Sequence, residues 1–463
     1  MKKSLPIIFA VSGGLLVLAF LAWSFSLHGT AGLFHVNGIY RWTFLGFGLA
    51  ALALLLGALL YRWLRSKAKP GITALVSAAL IALSVPAIII PSFGMAYVNN
   101  DFSPGIMDTP PQLMMADGTG AHGVPDLAVT FNTEQASRNT LTWERGEASA
   151  TIEEDTASKS HVFMLRDLEP DTAYRYRINE GYDVSFTTPP VDGRLHFAVA
   201  SDAHFGAGDA RNDLTVRMLA DIADPARDFD AFFYAGDLVE YGFRDNLWQQ
   251  AFKAFSRATS SIPVRFAAGN HDTLFSGFGT YLDCCYPAGM ELESGSRMWY
   301  RVDIGSMHFL VLDIEWSAES FTPEQAAWLE AQLESIPQND WKIVVGHGFY
   351  WSSGSYSNGW NWYDNPKTIE RLAPFFEKYG VDLVFSGHNH QLELLRKSGV
   401  TYAICGSFGG EPDSERTFTS PSSLWYMSGQ YALIDVVLDG DTCSLVFRNA
   451  DFEALETFTI SKG

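Results

Sequence analysis

Val381-Asp-Leu-Val-Phe-Ser-Gly-His-Asn-His390 is an apolar run that stops abruptly at a glycine and two histidines, and its reading decides the fold. The same design occurs four more times upstream: Leu195-His-Phe-Ala-Val-Ala-Ser-Asp-Ala-His204, Phe232-Phe-Tyr-Ala-Gly-Asp237, Val264-Arg-Phe-Ala-Ala-Gly-Asn-His271 and Trp341-Lys-Ile-Val-Val-Gly-His347. Strands buried on both faces read as such near-continuous apolar runs, and open α/β sheets carry their sites at the carboxyl ends of these strands. Glycine before Asp237, Asn270, His347 and His388 permits sharp turns and close backbone approach. Helical patterns lie between the runs. Thr322-Pro323-Glu324-Gln325 reads as an N-cap, a proline at the first helical position and a capping-box glutamine, opening a helix through Leu333.

A single histidine near a strand end is more often packed or surface-exposed than a ligand. Here five of the chain's 11 histidines, His204, His271, His347, His388 and His390, fall at these ends together with Asp202, Asp237 and Asn270. Imidazole combined with carboxylate and amide oxygen suits divalent Mn, Fe or Zn. The set resembles the calcineurin-like metallophosphoesterase superfamily, whose motifs D-x-H, G-D, G-N-H-D/E, G-H and G-H-x-H occur here in order over about residues 195–450. That resemblance implies two divalent metal ions. One would be held by Asp202, His204, Asp237 and His390, the other by Asp237, Asn270, His347 and His388, with Asp237 bridging. It also implies hydrolysis of a phosphomonoester by a metal-bridging hydroxide, with His271 as the catalytic histidine that stabilises the transition state or protonates the leaving oxygen. Asp272 is either an orienting partner of His271 or a turn carboxylate.

The arrangement is also similar to purple acid phosphatases, with one departure. They have Gly where this chain has His204, and a ligating Tyr three residues after the bridging Asp, where this chain has Glu240 with Tyr241 one step out of phase. An ordinary divalent pair without a tyrosinate ligand follows. Residues 348–363 interleave aromatics with Gly and Ser; Tyr350, Trp351, Trp360 and Trp362 are candidate substrate contacts, against the alternative of a packed Ω-loop. Arg211 is a candidate for a phosphate oxygen, or a plain surface cation.

Upstream, Leu127–131, 139–143, 161–165, 173–178 and 183–186 alternate apolar and polar residues between turn signals, which predicts a small β-sandwich over residues 103–190. Leu165-Arg-Asp-Leu-Glu-Pro-Asp-Thr-Ala-Tyr-Arg-Tyr176 resembles the fibronectin type III corner, in which a tyrosine follows a Leu-x-Pro-x-Thr turn. Further upstream, three apolar stretches at about 5–27, 43–61 and 72–93 are each near the ~20 residues a spanning helix needs. Lys2 and Lys3 precede the first, and Arg62, Arg65, Lys67 and Lys69 separate the second from the third. By the positive-inside rule the N-terminus is then cytoplasmic and the catalytic domain extracytoplasmic, periplasmic or extracellular.

The expected architecture is therefore a membrane domain (1–97) with three transmembrane helices, the β-sandwich (103–190) and an α/β metallophosphoesterase domain (195–460) made of a two-sheet sandwich flanked by helices. Residues 1–100 carry seven Lys/Arg and no Asp or Glu, which leaves 25 basic and 52 acidic residues in the other 363, a net of −27. Such a body lacks the basic footprint for a polyanion, so nucleic acid is not an expected partner. A small phosphorylated substrate is. A phosphodiesterase acting on a cyclic nucleotide, a nucleotide conjugate or a lipid head group is the alternative, and a non-catalytic binding or adhesion protein a third reading that the full ligand set disfavours. Of the four cysteines, Cys405 and Cys443 are the pair to test for a disulfide, because both lie in terminal strand-like runs.

Overall fold

The computed structural model describes residues 108–274, 277–290, 292–357, 360–413 and 416–462, within a compact unit of residues 104–463. Its frame is a pair of sheets. The first runs in spatial order β22 (Ala454–Ser461), β21 (Thr442–Asn449), β20 (Ala432–Asp439), β8 (Arg194–Ala200), β9 (Ala231–Tyr234), β10 (Val264–Phe266), β1 (Gln112–Met115), β2 (Leu127–Ser137) and β5 (Ser158–Leu165). The second runs β11 (Tyr300–Ile304), β12 (Met307–Val311), β13 (Trp341–Val345), β16 (Leu383–Ser386), β18 (Val400–Cys405), β17 (Leu392–Lys397) and β19 (Ser423–Met427). Phe197 of β8 and Phe233 of β9 meet Phe309 of β12 between them, with ring centroids 5.2 and 4.0 Å apart.

Strand alternation explains the outer layers. Phe232 and Tyr234 of β9 face away from Phe233 and pack on Phe255, 6.0 and 5.1 Å away, in helix α2 (Asp245–Thr259); α1 (Asn212–Ile222) buries Met218, Leu219 and Ile222 in the same core. Beyond the second sheet, Leu310, Val344, Val384 and Ile404 share a separate core with Leu329 and Leu333 of α5 (Pro323–Ser335) and with Leu372 and Phe376 of α6 (Pro366–Tyr379). The predicted start of α5 is present: Thr322 accepts a hydrogen bond from Gln325 N at 3.2 Å, and Pro323 is the first helical residue. Two short helices, α3 (Asn270–Thr273) and α4 (Phe278–Cys285), follow β10.

Strands β8, β9 and β10 are mutually parallel, as are β12, β13, β16 and β18. The five motifs follow β8, β9, β10, β13 and β16 and so leave both sheets at carboxyl ends.

Three expectations are corrected. The segments 5–27, 43–61 and 72–93 lie outside the described residues. Among the described residues no helix is long and apolar enough to cross a membrane, the longest being the 15-residue α2. The described residues thus supply no spanning helix for the three-span architecture or for the extracytoplasmic placement derived from it. Second, the β-module at 103–190 does not stand apart. β1 pairs in parallel with β10 at Met114 and Val264 and antiparallel with β2, so β1, β2 and β5 extend the catalytic sheet. The edge of β10 would otherwise present unpaired backbone groups; four fully buried residues of β1 cover it. Third, Cys405 and Cys443 are both free and buried, as are Cys284 and Cys285.

The other half of the module is a four-stranded sheet in the order β4 (Ala148–Glu153), β3 (Thr140–Arg145), β6 (Ala173–Ile178) and β7 (Tyr182–Thr187). Tyr174 Oη accepts from Glu169 N at 2.9 Å and closes its corner. Tyr176 Oη reaches out of the module, donating to Ser260 O at the end of α2 at 2.8 Å. Tyr176→Phe removes this bond, with an expected loss of about 1 kcal/mol. Chemical denaturation followed by both tryptophan fluorescence and circular dichroism should show one shifted transition for residues 104–463; an early separate step for the module would contradict a continuous core.

Candidate metal centre

The donor loops are held in a conformation that most side chains avoid. Asp202, His204, Asp237 and His388 all have positive φ, between 46° and 68°. Aspartate and histidine tolerate this region better than most residues, and such strain concentrates at functional sites. Gly269 illustrates the crowding that results: a Cβ there would lie 2.2 Å from Asp237 Oδ1, so no other residue fits before Asn270 without displacing that carboxylate.

Two donor sets converge and share one carboxylate. In the first, His204 Nε2 and His390 Nε2 are 3.1 Å apart; Asp202 Oδ1 lies 3.6 and 3.4 Å from them, and Asp237 Oδ2 is 3.6 Å from His204 Nε2. In the second, His347 Nε2, His388 Nδ1 and Asn270 Oδ1 are mutually separated by 2.9 to 3.1 Å, and the same Asp237 Oδ2 is 3.1 Å from His347 Nε2. These are the two four-residue sets that the resemblance implied.

The second partners of the rings fix which nitrogen faces inward. His347 Nδ1 donates to Ala235 O at 2.9 Å, His390 Nδ1 to Glu411 O at 2.7 Å and His204 Nδ1 to Glu240 Oε2 at 2.9 Å. In a neutral ring so held, Nε2 presents only a lone pair. Asp202 Oδ1 is buried without a hydrogen-bond partner. Lone pairs about 3 Å apart beside an unpartnered carboxylate oxygen repel one another unless a cation lies among them, and this donor set fits divalent transition metals.

Electrostatics point the same way. Burial opposes charge throughout the cluster, but the neighbours overrule it. The adjacent His204 and the field of His347 hold Asp202 well below the usual carboxylate range, and the fields of His347 and His271 do the same for Asp237. Conversely, against burial, Asp237 and Asp202 raise His347 to about 9, and Asp202 raises His390.

His271 lies beside the first set, its ring 4.7 Å from that of His204 in a T-shaped contact. Its backbone N–H donates to Asp237 Oδ1 at 2.8 Å and its Nδ1 to Glu240 O at 3.0 Å, with Glu240 Oε2 3.4 Å from the same nitrogen. Glu240 therefore contacts both a metal donor and the candidate acid. Its position, three residues after Asp237, was visible in the sequence, but its partners were not. Asp272 takes the other of its two expected roles. Its carboxylate accepts from Leu238 N, Val239 N and Gly269 N at 2.9, 3.1 and 3.0 Å, a turn carboxylate that ties two donor loops together.

The candidate substrate contacts separate. Arg211 is exposed and paired with Asp213 at 2.8 Å, a surface cation. Tyr350 is buried against Phe376 and Tyr402, in the core beyond the second sheet. Trp351 packs on that core and stacks beneath Lys397. Trp360 belongs to the two-stranded hairpin of β14 (Tyr356–Ser357) and β15 (Trp360–Asn361). Trp362 is placed at a donor, its ring centroid 5.5 Å from that of His388. Tyr241 packs on Phe243.

Because bound cations must displace protons from these imidazoles, Mn²⁺ affinity should fall on acidification from about pH 8 to about pH 5.5, with proton release on binding. Asp237→Asn, which removes the shared charge, should weaken binding more than about 100-fold by calorimetry; two tight equivalents retained would refute the shared-carboxylate assignment.

Residues 195–392, a span that contains all seven donors, His271 and Glu240, match the family model for calcineurin-like phosphoesterases. Among similar proteins, purple acid phosphatase 21 of Arabidopsis thaliana is 28% identical over 284 residues, covering 58% of this chain and 62% of that protein. Purple acid phosphatase 1 of Ipomoea batatas is 29% identical over 272 residues, covering 54% of each. Probable inactive purple acid phosphatase 24 of Arabidopsis thaliana is 25% identical over 270 residues, covering 50% of this chain and 43% of that protein. The chain thus spans less than two thirds of the length of these relatives. Among solved structures, purple acid phosphatase PPD1 from yellow lupin (Lupinus luteus) seeds shares the fold, with a TM-score of 0.64 at 18% identity over 76% of this chain and 74% of that one. Residues 195–392 are a calcineurin-like phosphoesterase domain, carried by a chain whose relatives are purple acid phosphatases.

Proposed function

We propose that the chain is a metal-dependent phosphoric ester hydrolase acting on a small phosphomonoester. The observation that carries this reading is the sharing of Asp237 Oδ2 between two converging donor sets, with the His271 imidazole beside them. Two divalent cations of the Mn, Fe or Zn type would be held by Asp202, His204, Asp237 and His390 and by Asp237, Asn270, His347 and His388. When bound, such a pair supplies Lewis acidity at phosphoryl oxygens and a nucleophile from water near neutral pH.

The chain's own groups do the rest. Asp237 and Asp202 offset the cations' charge inside a buried site, which leaves the centre positive enough to attract a phosphate dianion. With Nδ1 of His271 donating to Glu240 O, Nε2 is the atom that would carry the proton for the leaving oxygen when the ring is imidazolium. Glu240 is a positioning residue: one carboxylate oxygen orients His204, and the same residue's carbonyl orients His271. Glu240 occupies the position at which the resemblance places a tyrosine, and its contact to His204 supports a centre built with a nitrogen donor in place of a phenolate.

Metal-loaded protein should hydrolyse aryl phosphate faster than bis-aryl phosphate, cyclic nucleotide or phospholipid; a preference for diesters would replace the monoester assignment, and no turnover on any would remove the hydrolase reading. His271→Ala should lower kcat by about 10²- to 10⁴-fold while two metal equivalents remain bound. Glu240→Gln should cost about 10- to 100-fold in activity and shift the pH profile, since it changes the partner of two imidazoles; a wild-type profile would leave Glu240 without a role in the reaction.

A further inference from the structure

A buried polar network fastens the 352–364 segment to the loop that carries two metal donors. Asn389 stands between His388 and His390, and its Nδ2 donates to Ser352 Oγ at 2.8 Å and to Trp362 O at 3.3 Å. Gln391 Nε2 donates to Ser352 Oγ at 2.9 Å and to Ser353 O at 2.8 Å. The buried Glu393 carboxylate accepts from Ser353 N and Ser353 Oγ at 2.8 and 2.6 Å. At the far end of the segment, Asp364 Oδ1 accepts from Ser352 N at 3.0 Å and from Ser420 Oγ at 2.9 Å, and Tyr363 stacks on Phe418 with centroids 4.4 Å apart. Tyr356 of β14, within the segment, is 64% exposed.

Such a network is far more than a surface loop needs. Its product is a fixed place for Trp362, whose ring lies 5.5 Å from the His388 imidazole at 34°. Orienting that imidazole does not require the indole, because Phe349, itself buried, already stacks on it at 5.8 Å and 18°. Trp362 is only partly buried. An ester whose phosphorus lies among the donors extends its leaving group past their rim, and an indole fixed beside His388 offers that group a rigid π face.

We infer that Trp362 is the platform on which the leaving group stacks, and that the substrate class is phosphoesters whose leaving group bears a flat unsaturated ring, an aryl group or a nucleobase. This rests on the phosphoesterase reading above and sharpens it. Ser352, Asn389 and Gln391 act through Trp362 as positioning residues.

The test uses the metal-loaded full chain with phenyl phosphate, a nucleoside 5′-monophosphate and glycerol phosphate. The wild type should favour one or both planar substrates. In Trp362→Ala the ratio of kcat/KM for the planar substrate to that for glycerol phosphate should fall about five- to tenfold, mainly through KM, and Trp362→Phe should recover most of it. Ser352→Ala, which removes the acceptor of two amides, should move the ratio the same way by a smaller factor. Whichever planar substrate responds identifies the source of the ring. Equal losses on all three substrates, or weaker Mn²⁺ binding by calorimetry, would make Trp362 a support for His388 and overturn the inference while the hydrolase reading stands. A wild type inactive on all three would overturn both.

Discussion

Asp237 places one carboxylate oxygen 3.1 Å from His347 Nε2 and 3.6 Å from His204 Nε2, and the surrounding structure is arranged around that shared atom. The other oxygen of the same carboxylate is fixed as well, since Asp237 Oδ1 accepts the backbone N–H of His271. That bond also places the candidate acid. The candidate acid and the shared carboxylate are therefore set by one hydrogen bond at the start of a four-residue helix, and the Gly269 that precedes it is required because a side chain there would strike the same carboxylate.

The parts of this site that could be read from sequence are those where local pattern and buried topology coincide. Parallel strands covered on both faces must be apolar, so five apolar runs ending in Asp, Asn or His marked the strand ends and the seven candidate donors that converge there. The cap of α5 was readable because Thr322, Pro323 and Gln325 act within one turn. β1 was not. It is four residues long, follows two prolines, and owes its place to a parallel partner in β10 some 150 residues away, a pairing that no local period records. β4, largely exposed and composed of Ala-Ser-Ala-Thr-Ile-Glu, carries no clear alternation either. The continuity of the module with the catalytic sheet follows from that unread strand.

Side-chain partners were hidden for a different reason. Sequence adjacency offers Asp272 as the orienting partner of His271, and nothing local marks Glu240 for that role. The backbone decides between them: Asp272 sits in α3 and is consumed by three N–H groups, which leaves Glu240 within reach of both imidazoles. Among the aromatics of residues 348–363, Tyr350 and Trp362 look alike in composition. Their difference comes from the core beyond the second sheet, which takes Tyr350, and from the amide of Asn389, which holds the backbone of Trp362 at the donors.

Four donors in the left-handed region cost of order 1–3 kcal/mol each, and that strain persists only if something overdetermines the backbone. The donor loops do this for one another. Asp202 N donates to Gly236 O at 3.0 Å and His204 N to Asp237 O at 3.2 Å, so the first loop is hydrogen-bonded to the second. Gly387 N donates to His347 O at 3.0 Å, His388 N to Asp202 Oδ2 at 3.0 Å, and Gly410 N to Asp202 O at 2.7 Å, which adds the fourth and fifth loops and the segment after β18. Each bond is worth about 1 kcal/mol net, comparable to the strain at one residue. The lattice therefore holds the donors close together through the protein's own backbone, and cations entering it meet a site whose ordering cost has already been met by folding. The same lacing makes the two donor sets inseparable: a change in either set displaces loops that belong to both, so a centre of this kind is expected to gain or lose its two metals together.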